Sequence, residues 1–432
     1  MLREHETRAF ALALVILQIG YAIGALTAPN HFYGFNQLRY GGPLAVVAVI
    51  SVAWILTLLG RSQLQAGEHA PQLDILLGAM LALGAGTAFF LLRSNTPNPD
   101  GVTLTEDMPS AVLNHGALVT HDEMLELLVH SRIFAAAHRF WGWSVELSYQ
   151  VPDAIAGVVF VIILCALARQ CARQGQADFV ALALCGGYVQ LFFGDVENYT
   201  LVTVLILTYL ALCWSTLEGR LPLWVPTLAL SVAICFHLVA GWLLPSNIYL
   251  IAHAWRCRRQ LHLPAILAAL ILPVSGLLIY LHFHGLPIQR LFDSSHVSGM
   301  GGHYERYLPP LRARYFGGLV NTIALLLPTI AMLPVLTVLR HLGTDPYSRL
   351  LQVASGSTLL MTFLWRAQIG VYEDWNLYAP GMIPVALLIA YRLTVTLGVR
   401  RLEGIRRGLL ITGYSHSLLW VLSNHFRWEG NP

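Results

Sequence analysis

Runs of about twenty apolar residues, separated by short polar stretches, recur along the whole chain, which is the pattern of helices that cross a membrane. They fall at 9–28, 43–60, 73–92, 151–168, 178–194, 199–217, 222–237, 240–255, 264–282, 316–339, 350–370 and 378–397. A weaker thirteenth, 408–424, carries Ser415, His416 and Asn424 and reads as either a span or a surface helix. Segments 222–237 and 240–255 are short and nearly continuous, so a re-entrant hairpin is the alternative to two spans. The first run exceeds the roughly 7 to 15 apolar residues of a signal peptide and is read as an uncleaved span. The pattern predicts an all-α polytopic membrane protein with about 12–13 transmembrane helices.

Arginine orients this bundle, because cytoplasmic loops keep positive charge near span ends. With the N-terminus inside, the cytoplasmic loops receive Arg61, Arg169, Arg173, Arg220, Arg256, Arg258, Arg259, Arg340, Arg349, Arg400, Arg401, Arg406 and Arg407. The opposite face then receives Asp100, Asp122, Glu123, Glu126, Asp195, Glu197, Glu373 and Asp374. Two long loops lie on that face. The first, 92–150, opens with the turn-rich Asn95 to Gly101 and continues into 121–143, where Met124, Leu127, Leu128, Ile133 and Phe134 recur near helical spacing, as in a helix lying in the membrane interface. The second, 284–315, combines Gly299, Gly301, Gly302, Pro309 and Pro310 with Arg290, Arg306, Arg312 and Arg314, a loop able to order around an anion.

Composition narrows the chemistry. The 432 residues are 56% hydrophobic and 11% charged, with a mean hydropathy of +0.61, leaving no stretch for a separate water-soluble domain. All 26 basic residues are arginine, so a Walker lysine and a pyridoxal phosphate Schiff base are excluded. A net charge of +3 does not point to nucleic acid. The six cysteines lie in or beside apolar segments and indicate no disulfide framework. Histidines 282, 284, 296 and 303 raise the question of a metal, which the i, i+2 spacing of His282 and His284 suits only in an extended segment and which no H-E-x-x-H motif supports; Gly84-Ala85-Gly86 lacks the third glycine of a dinucleotide site, and Gly413 to Ser417 is not a nucleophile elbow.

Four clusters on the acidic face are candidates for chemistry, since ionisable groups at span ends are costly unless they serve a purpose. They are Asp122-Glu123, which could also cap an interfacial helix; Asp195-Val196-Glu197-Asn198-Tyr199, more polar than a turn requires; His237 through Pro245-Ser246, a histidine where a span breaks; and Glu373-Asp374-Trp375-Asn376, with Arg366 two turns earlier and able to pair with Glu373.

In this order the clusters resemble the boxes of the GT-C superfamily of integral-membrane glycosyltransferases, and more narrowly a bacterial group related to dolichyl-phosphate-mannose-protein mannosyltransferases. The resemblance rests on an acidic first outer loop at Asp122-Glu123, an E-N-Y box at Glu197 to Tyr199, a box from His237 to Ser246, and Asp374-Trp375-Asn376-Leu377. It covers roughly residues 73–397. It implies a GT-C-like catalytic core at 73–397 with outer loops 94–150 and 284–315, an added N-terminal hairpin at 1–60, and a basic C-terminal segment at 398–432. The hairpin is inferred because the acidic loop here follows the third span instead of the first.

The implied activity is inverting transfer of a sugar from a polyprenyl-phosphate-linked donor to a glycan, lipid or protein acceptor. It would take place at the periplasmic or exterior face of a bacterial inner membrane, among membrane lipids. Asp122 is the preferred general base, with Glu123 beside it and Asp195 and Glu197 as further acids. Asn198, Tyr199, His237, His296, Arg306, Arg312, Arg314, Arg366, Glu373, Asp374, Trp375 and Asn376 are expected to bind substrate, the arginines at the donor phosphate unless they serve anionic headgroups instead. Asn376 stands where an acid is common, so a metal bridge is not supported; no cofactor is required, and metal ligands are unassigned. The rival readings are a polytopic transporter or lipid flippase, for which no internal repeat is visible, and a membrane acyltransferase.

Cysteine-accessibility labelling at Ser110 and Ser298 checks the sidedness: both positions should label from the outside, and labelling only from the cytoplasm would overturn the arginine map.

Overall fold

The computed structural model describes residues 4–27, 33–62, 74–96, 98–118, 123–172, 175–258, 261–285, 313–338, 345–365, 371–397 and 402–426. Among these the protein is a bundle of helices without strands: α1 Glu4–Leu26, α2 Gly42–Ser62, α3 Ile75–Leu91, α4 Pro99–His115, α5 Met124–Trp141, α6 Val145–Cys171, α7 Gln176–Leu184, α8 Thr200–Leu217, α9 Trp224–Phe236, α10 Leu244–Arg256, α11 Leu263–Phe283, α12 Ala313–Leu326, α13 Leu333–Val338, α14 Pro346–Leu364, α15 Trp375–Tyr391 and α16 Glu403–Phe426. It is a multi-pass membrane protein.

Each predicted apolar segment is helical over most of its described residues, yet among the described residues only six stretches are long and apolar enough to cross a bilayer unbroken, or eight if two bent pairs each count as one span. The reason is local. The segment at 178–194 bends by 79° between α7 and a 3-10 turn, Gly187–Phe193, and the segment at 316–339 bends by 106° where Pro328 opens the turn between α12 and α13. Segments 222–237 and 240–255 prove to be α9 and α10, which are 13 residues each, about 20 Å. His237 separates them in an extended conformation, with φ −152° and ψ 134°.

Broken helices free backbone carbonyls where water is scarce, and those carbonyls need donors. The weak thirteenth segment supplies them. His416 Nε2 donates to Leu325 O at 2.8 Å, Ser417 Oγ to Cys185 O at 3.3 Å and Tyr414 Oη to Ala181 O at 3.1 Å. His416, one of the polar residues that make 408–424 look like a poor span, is therefore buried facing inward, as is Ser417. α16 runs from Arg406, paired with Asp178 at 3.3 Å at the start of α7, to His425, whose Nδ1 donates to Arg93 O at 2.8 Å beyond the end of α3.

The N-terminal hairpin packs on this same helix. Thr57 Oγ1 donates to Gly404 O at 3.1 Å, Gly408 lies against Thr57, and the Tyr21 and His416 rings meet edge to face at 5.4 Å.

At one end of the bundle, called here the α5 end, α4 and α5 lie across the ends of α6, α8, α9 and α11. α4 starts at Pro99, with Asn98 Oδ1 accepting from Gly101 N at 2.7 Å, and stops at Gly116 in the left-handed region, φ 77°. α5 is amphipathic, as predicted, and ends in exposed Phe140 and Trp141, residues that favour a membrane interface. Arg169, Arg220, Arg256, Arg258 and Arg406 lie at the far end, where Gln170 Oε1 accepts from both Ser215 and Arg220.

The close approach of α2 and α16 gives a direct test. A Cβ on Gly404 would collide with the Thr57 carbonyl, while one on Gly84 meets nothing within 4 Å. Gly404→Val should cost about 1–3 kcal/mol and lower the thermal unfolding midpoint in detergent, with Gly84→Val close to wild type.

Candidate functional site

The site lies at the α5 end and grows from one carboxylate. Glu126, on the first turn of α5, is fully buried and accepts hydrogen bonds from Leu201 N at 2.8 Å and Val202 N at 3.2 Å, two of the unsatisfied amides that open α8. A carboxylate at a helix N-terminus is favoured by the helix dipole. This clamp sets α5 against the E-N-Y box, and the residue one turn earlier, Glu123, lands between two groups of the other predicted boxes. Asn198 Nδ2 donates to Glu123 Oε2 at 2.9 Å, and His237 Nε2 lies 3.6 Å from Glu123 Oε1.

The supports behind these groups are fixed in turn. Tyr149 on α6 donates its hydroxyl to Asn198 Oδ1 at 3.0 Å, which orients the amide with its NH₂ toward Glu123. Val239 N donates to His237 Nδ1 at 3.1 Å, so Nδ1 carries no proton and the Nε2–H faces the carboxylate. At 3.6 Å that contact is electrostatic attraction and not a full hydrogen bond. Tyr199 packs on the His237 ring, centroids 4.7 Å apart, and His130 of α5 stacks on Tyr149 at 3.9 Å and 8°. Burial pushes His130 down to about 4, so it is neutral, with Nδ1 donating to Ser148 O at 3.4 Å.

Carboxylates surround this centre. The α4 helix begins against the E-N-Y turn, Gly101 lying so close to the Val196 carbonyl that a Cβ there would sit 2.8 Å from it, and this brings Asp100 beside Glu197. Burial pushes Asp195 up to about 7. Glu197 is pushed well above the ordinary carboxylate range, first by burial and then by repulsion from Asp195, Asp100 and Glu123. Asp153, fully buried in α6, faces Thr200 at the start of α8. Of the carboxylates at this end, Asp195, Glu197 and Glu126 are buried, while Glu123 keeps 17% of its side chain exposed and Asp100 is half-buried.

Three of the four predicted boxes therefore converge: Glu123, Asn198 with Tyr199, and His237. The fourth stands apart by hydrogen bonding, since among the described residues no hydrogen bond joins Asp374, Trp375 or Asn376 to Glu123. Asp374 and Asn376 are buried at the start of α15, Asn376 Oδ1 accepts from Leu377 N at 2.9 Å, Trp375 packs edge to face on Trp420 of α16, and Glu373 is exposed. The preferred base Asp122 lies outside the described residues, as do His296, Arg306, Arg312 and Arg366, together with the side chain of Arg314. Among the described residues no group of three or more His, Cys, Asp or Glu side chains is arranged to hold a metal ion.

Sequence reasoning singled out neither Glu126 nor Tyr149 nor Asp153 as a site residue, and it placed Asp100 only in a turn. A signal existed for two of them: Glu126 is one helical turn from Glu123 and so shares its face, and Asp153 is an acid inside an apolar run.

The Glu126 clamp makes a prediction about pH. Burial lifts its carboxyl up to about 8, outweighing the two amide donors and the nearby His237, which lower it. A raised folded-state value means that the folded chain holds the proton more tightly than the unfolded chain. Stability from this group is then greatest below the unfolded value of about 4.3 and is lost as pH rises through about 8. Glu126→Gln cannot ionise, so between about pH 6 and pH 8.5 the wild-type unfolding midpoint should fall relative to the variant's; parallel curves would contradict the burial argument.

Among solved structures, the chain is similar to the crystal structure of ArnT from Cupriavidus metallidurans bound to undecaprenyl phosphate, with a TM-score of 0.55 and 13% identity, covering 82% of this chain and 77% of that one. No protein-family model and no curated protein matches the sequence. The likeness is one of fold: the chain has an ArnT-like all-α polytopic fold, which fits the GT-C assignment implied by its sequence boxes.

Proposed function

We propose that this protein is a membrane glycosyltransferase that moves a sugar from a polyprenyl-phosphate-linked donor to a hydroxyl acceptor at the α5 end, which faces away from the cytoplasm. The observation that carries the reading is Glu123, a carboxylate oriented by Asn198 and attracted by the His237 Nε2–H, at the edge of a buried acidic cluster and still open to a second substrate. A general base needs this combination of reach and fixed geometry. ArnT, whose fold the chain shares, is recorded with undecaprenyl phosphate bound, which supports a lipid-linked donor.

In the reaction, the carboxylate takes the acceptor hydroxyl proton while the oxygen attacks the anomeric carbon from the face opposite the phosphate. The carbon–oxygen bond to phosphate breaks, its electron pair leaves with the polyprenyl phosphate, and the new glycosidic bond has inverted configuration. The departing phosphate needs positive charge, which the sequence reading assigns to Arg306, Arg312, Arg314 and Arg366. His237, Asn198 and Tyr199 position the base, and Glu373, Asp374, Trp375 and Asn376 contact substrate from the α15 side.

Glu123 is the first choice for the base on geometry, Asp122 precedes it in the chain, and Asp100 is a half-buried carboxylate beside Glu197. Glu123→Gln, Asp122→Asn and Asp100→Asn, assayed for sugar transfer with the lipids that copurify with the wild type, separate them. The base variant should lose about 10² to 10⁴ in rate with donor binding kept. Normal transfer by all three would sink the mechanism, and a purified protein that moves lipid or solute without any transfer would favour the transporter reading.

A further inference from the structure

A polar cavity of about 300 Å³ opens at the α5 end between the turn after α3, the first turns of α6 and the turn before α8. Arg93, Ser94, Glu146, Gln150 and Asp195 line it, while Glu123, Asn198, Tyr199 and His237 do not. It lies beside the reaction centre and is separate from it, since Asp195 stands three residues before Asn198, no more than about 11 Å along the chain. Its walls are tied together. Ser94 N donates to Phe193 O at 2.6 Å, Gln150 Nε2 to Ser94 O at 3.2 Å, and Asn95 Nδ2 to His425 O at 2.7 Å. Gly194, at φ 69°, lets the turn lie against α6, where a Cβ would meet Gln150 Cγ at 2.8 Å. Three charged groups line this space without pairing. Asp195 is 4% exposed, and its Oδ2 has no hydrogen-bond partner among the described residues. Arg93 and Glu146 are half-buried, and among the described residues neither takes part in an ion pair. Arg93 is held in place by the Phe90 ring, 4.9 Å away, and by donating to Phe90 O at 3.1 Å. A buried carboxyl without a donor is costly, and fixed walls that converge polar groups on a concave space are the make-up of a ligand site.

We propose that this cavity binds a sugar ring of the acceptor, and that the acceptor is a glycan. A ring hydroxyl both donates and accepts, so it suits carboxylates, which only accept, and a guanidinium, which only donates, within one small space. An apolar ligand would leave these charges dry and unpaired. A simple anion would meet the two carboxylates, and a simple cation the arginine. The volume is at the lower end of the range for ligand pockets, about 300–1,000 Å³, which suits one ring and not a chain. The donor of the proposed reaction carries one sugar, whose anomeric carbon has to lie beside Glu123. A ring held at Asp195 is therefore a part of the acceptor that does not react, and holding it places the neighbouring hydroxyl at the base. The assignment rests on the glycosyltransferase reading for the ring's place in the reaction; the carbohydrate chemistry of the cavity stands apart from that reading.

The experiment uses the full-length protein in lipid nanodiscs, with the methyl glycosides of glucose, mannose, galactose, N-acetylglucosamine and arabinose as probes and glycine betaine as a zwitterionic control. Binding is measured by calorimetry and by saturation-transfer NMR. At least one glycoside should bind and betaine should not. Glu146→Gln, Arg93→Gln and Asp195→Asn should each weaken that glycoside roughly tenfold or more, the loss of one charged hydrogen-bonding group. Transfer assays then use the copurifying lipids as donor and the methyl disaccharide of the bound sugar as acceptor. Glu146→Gln should raise KM for the disaccharide, leave KM for the donor unchanged and keep kcat within about twofold, because it does not touch the reacting atoms. No glycoside binding, tighter binding of betaine, or wild-type affinity in Glu146→Gln and Arg93→Gln overturns the cavity, even where transfer is normal. A rise in donor KM in place of acceptor KM overturns the acceptor assignment. Glycoside binding that depends on Glu146 and Arg93 in a protein that transfers no sugar keeps the carbohydrate site and overturns the enzyme reading instead.

Discussion

The arrangement at the α5 end depends on one constraint: the first amides of α8 begin in a buried place and have to be met by something other than water. A helix start leaves several N–H groups without intrahelical partners, and leaving one buried and unpaired costs on the order of 1–3 kcal/mol. Glu126 meets two of them from another helix. Because its backbone is part of α5, satisfying α8 also fixes where α5 lies, and with it every side chain that α5 presents. Glu123 then meets Asn198 and His237, His130 stacks on Tyr149, and Arg132 donates to the Tyr280 hydroxyl of α11. The geometry of the candidate site and fold stability at this end share one contact.

The same rule, that buried backbone must be paired, explains the middle of the bundle. Two apolar segments bend sharply, and each bend frees carbonyls that no intrahelical amide reaches. α16 carries the compensating donors at Tyr414, His416 and Ser417, spaced so that they meet α7 and the Cys185 and Leu325 carbonyls. Hydropathy alone scores such a helix as a poor span, because its polar atoms are counted as if they faced lipid. The segments themselves were legible in the sequence because apolar periodicity is local. Which of them bend, and which polar residues serve the bends, depends on contacts between residues 91 to 233 positions apart.

The site was legible to a similar degree and for a similar reason. Glu197-Asn198-Tyr199 and His237 stood out because polar groups where spans end are costly, and the fold does bring them to Glu123. Glu126 was hidden by its spacing, since an acid on an amphipathic interfacial helix looks like its solvated face until α8 is placed over it. Tyr149 was hidden at the end of the long first loop, and Asp153 within the apolar run that follows, where an acid near a proline reads as the edge of a span. Asp100 was taken for turn chemistry, which it does serve, in a turn that also abuts Glu197. The D-W-N-L box was found as a motif, but among the described residues Asn376 bonds within its own helix and Trp375 packs on Trp420, with no hydrogen bond to Glu123.

The distribution of charge bears on transfer against transport. Broken helices are a feature of transporters, where half-helix ends line a substrate site near the bilayer midplane. Here α16 meets the Ala181 and Cys185 carbonyls at the first break and the Leu325 carbonyl at the second, so at least these groups serve the packing of the bundle. Five acidic groups gather at the α5 end: Asp100, Glu123, Glu126, Asp195 and Glu197 on three facing elements, with Glu197 raised by its acidic neighbours as well as by burial. A solute passing through would need such groups along its path. A reaction at an interface needs them where a lipid-borne leaving group and a hydroxyl meet, and there a partly exposed carboxylate with a fixed orientation is the group best able to take the proton.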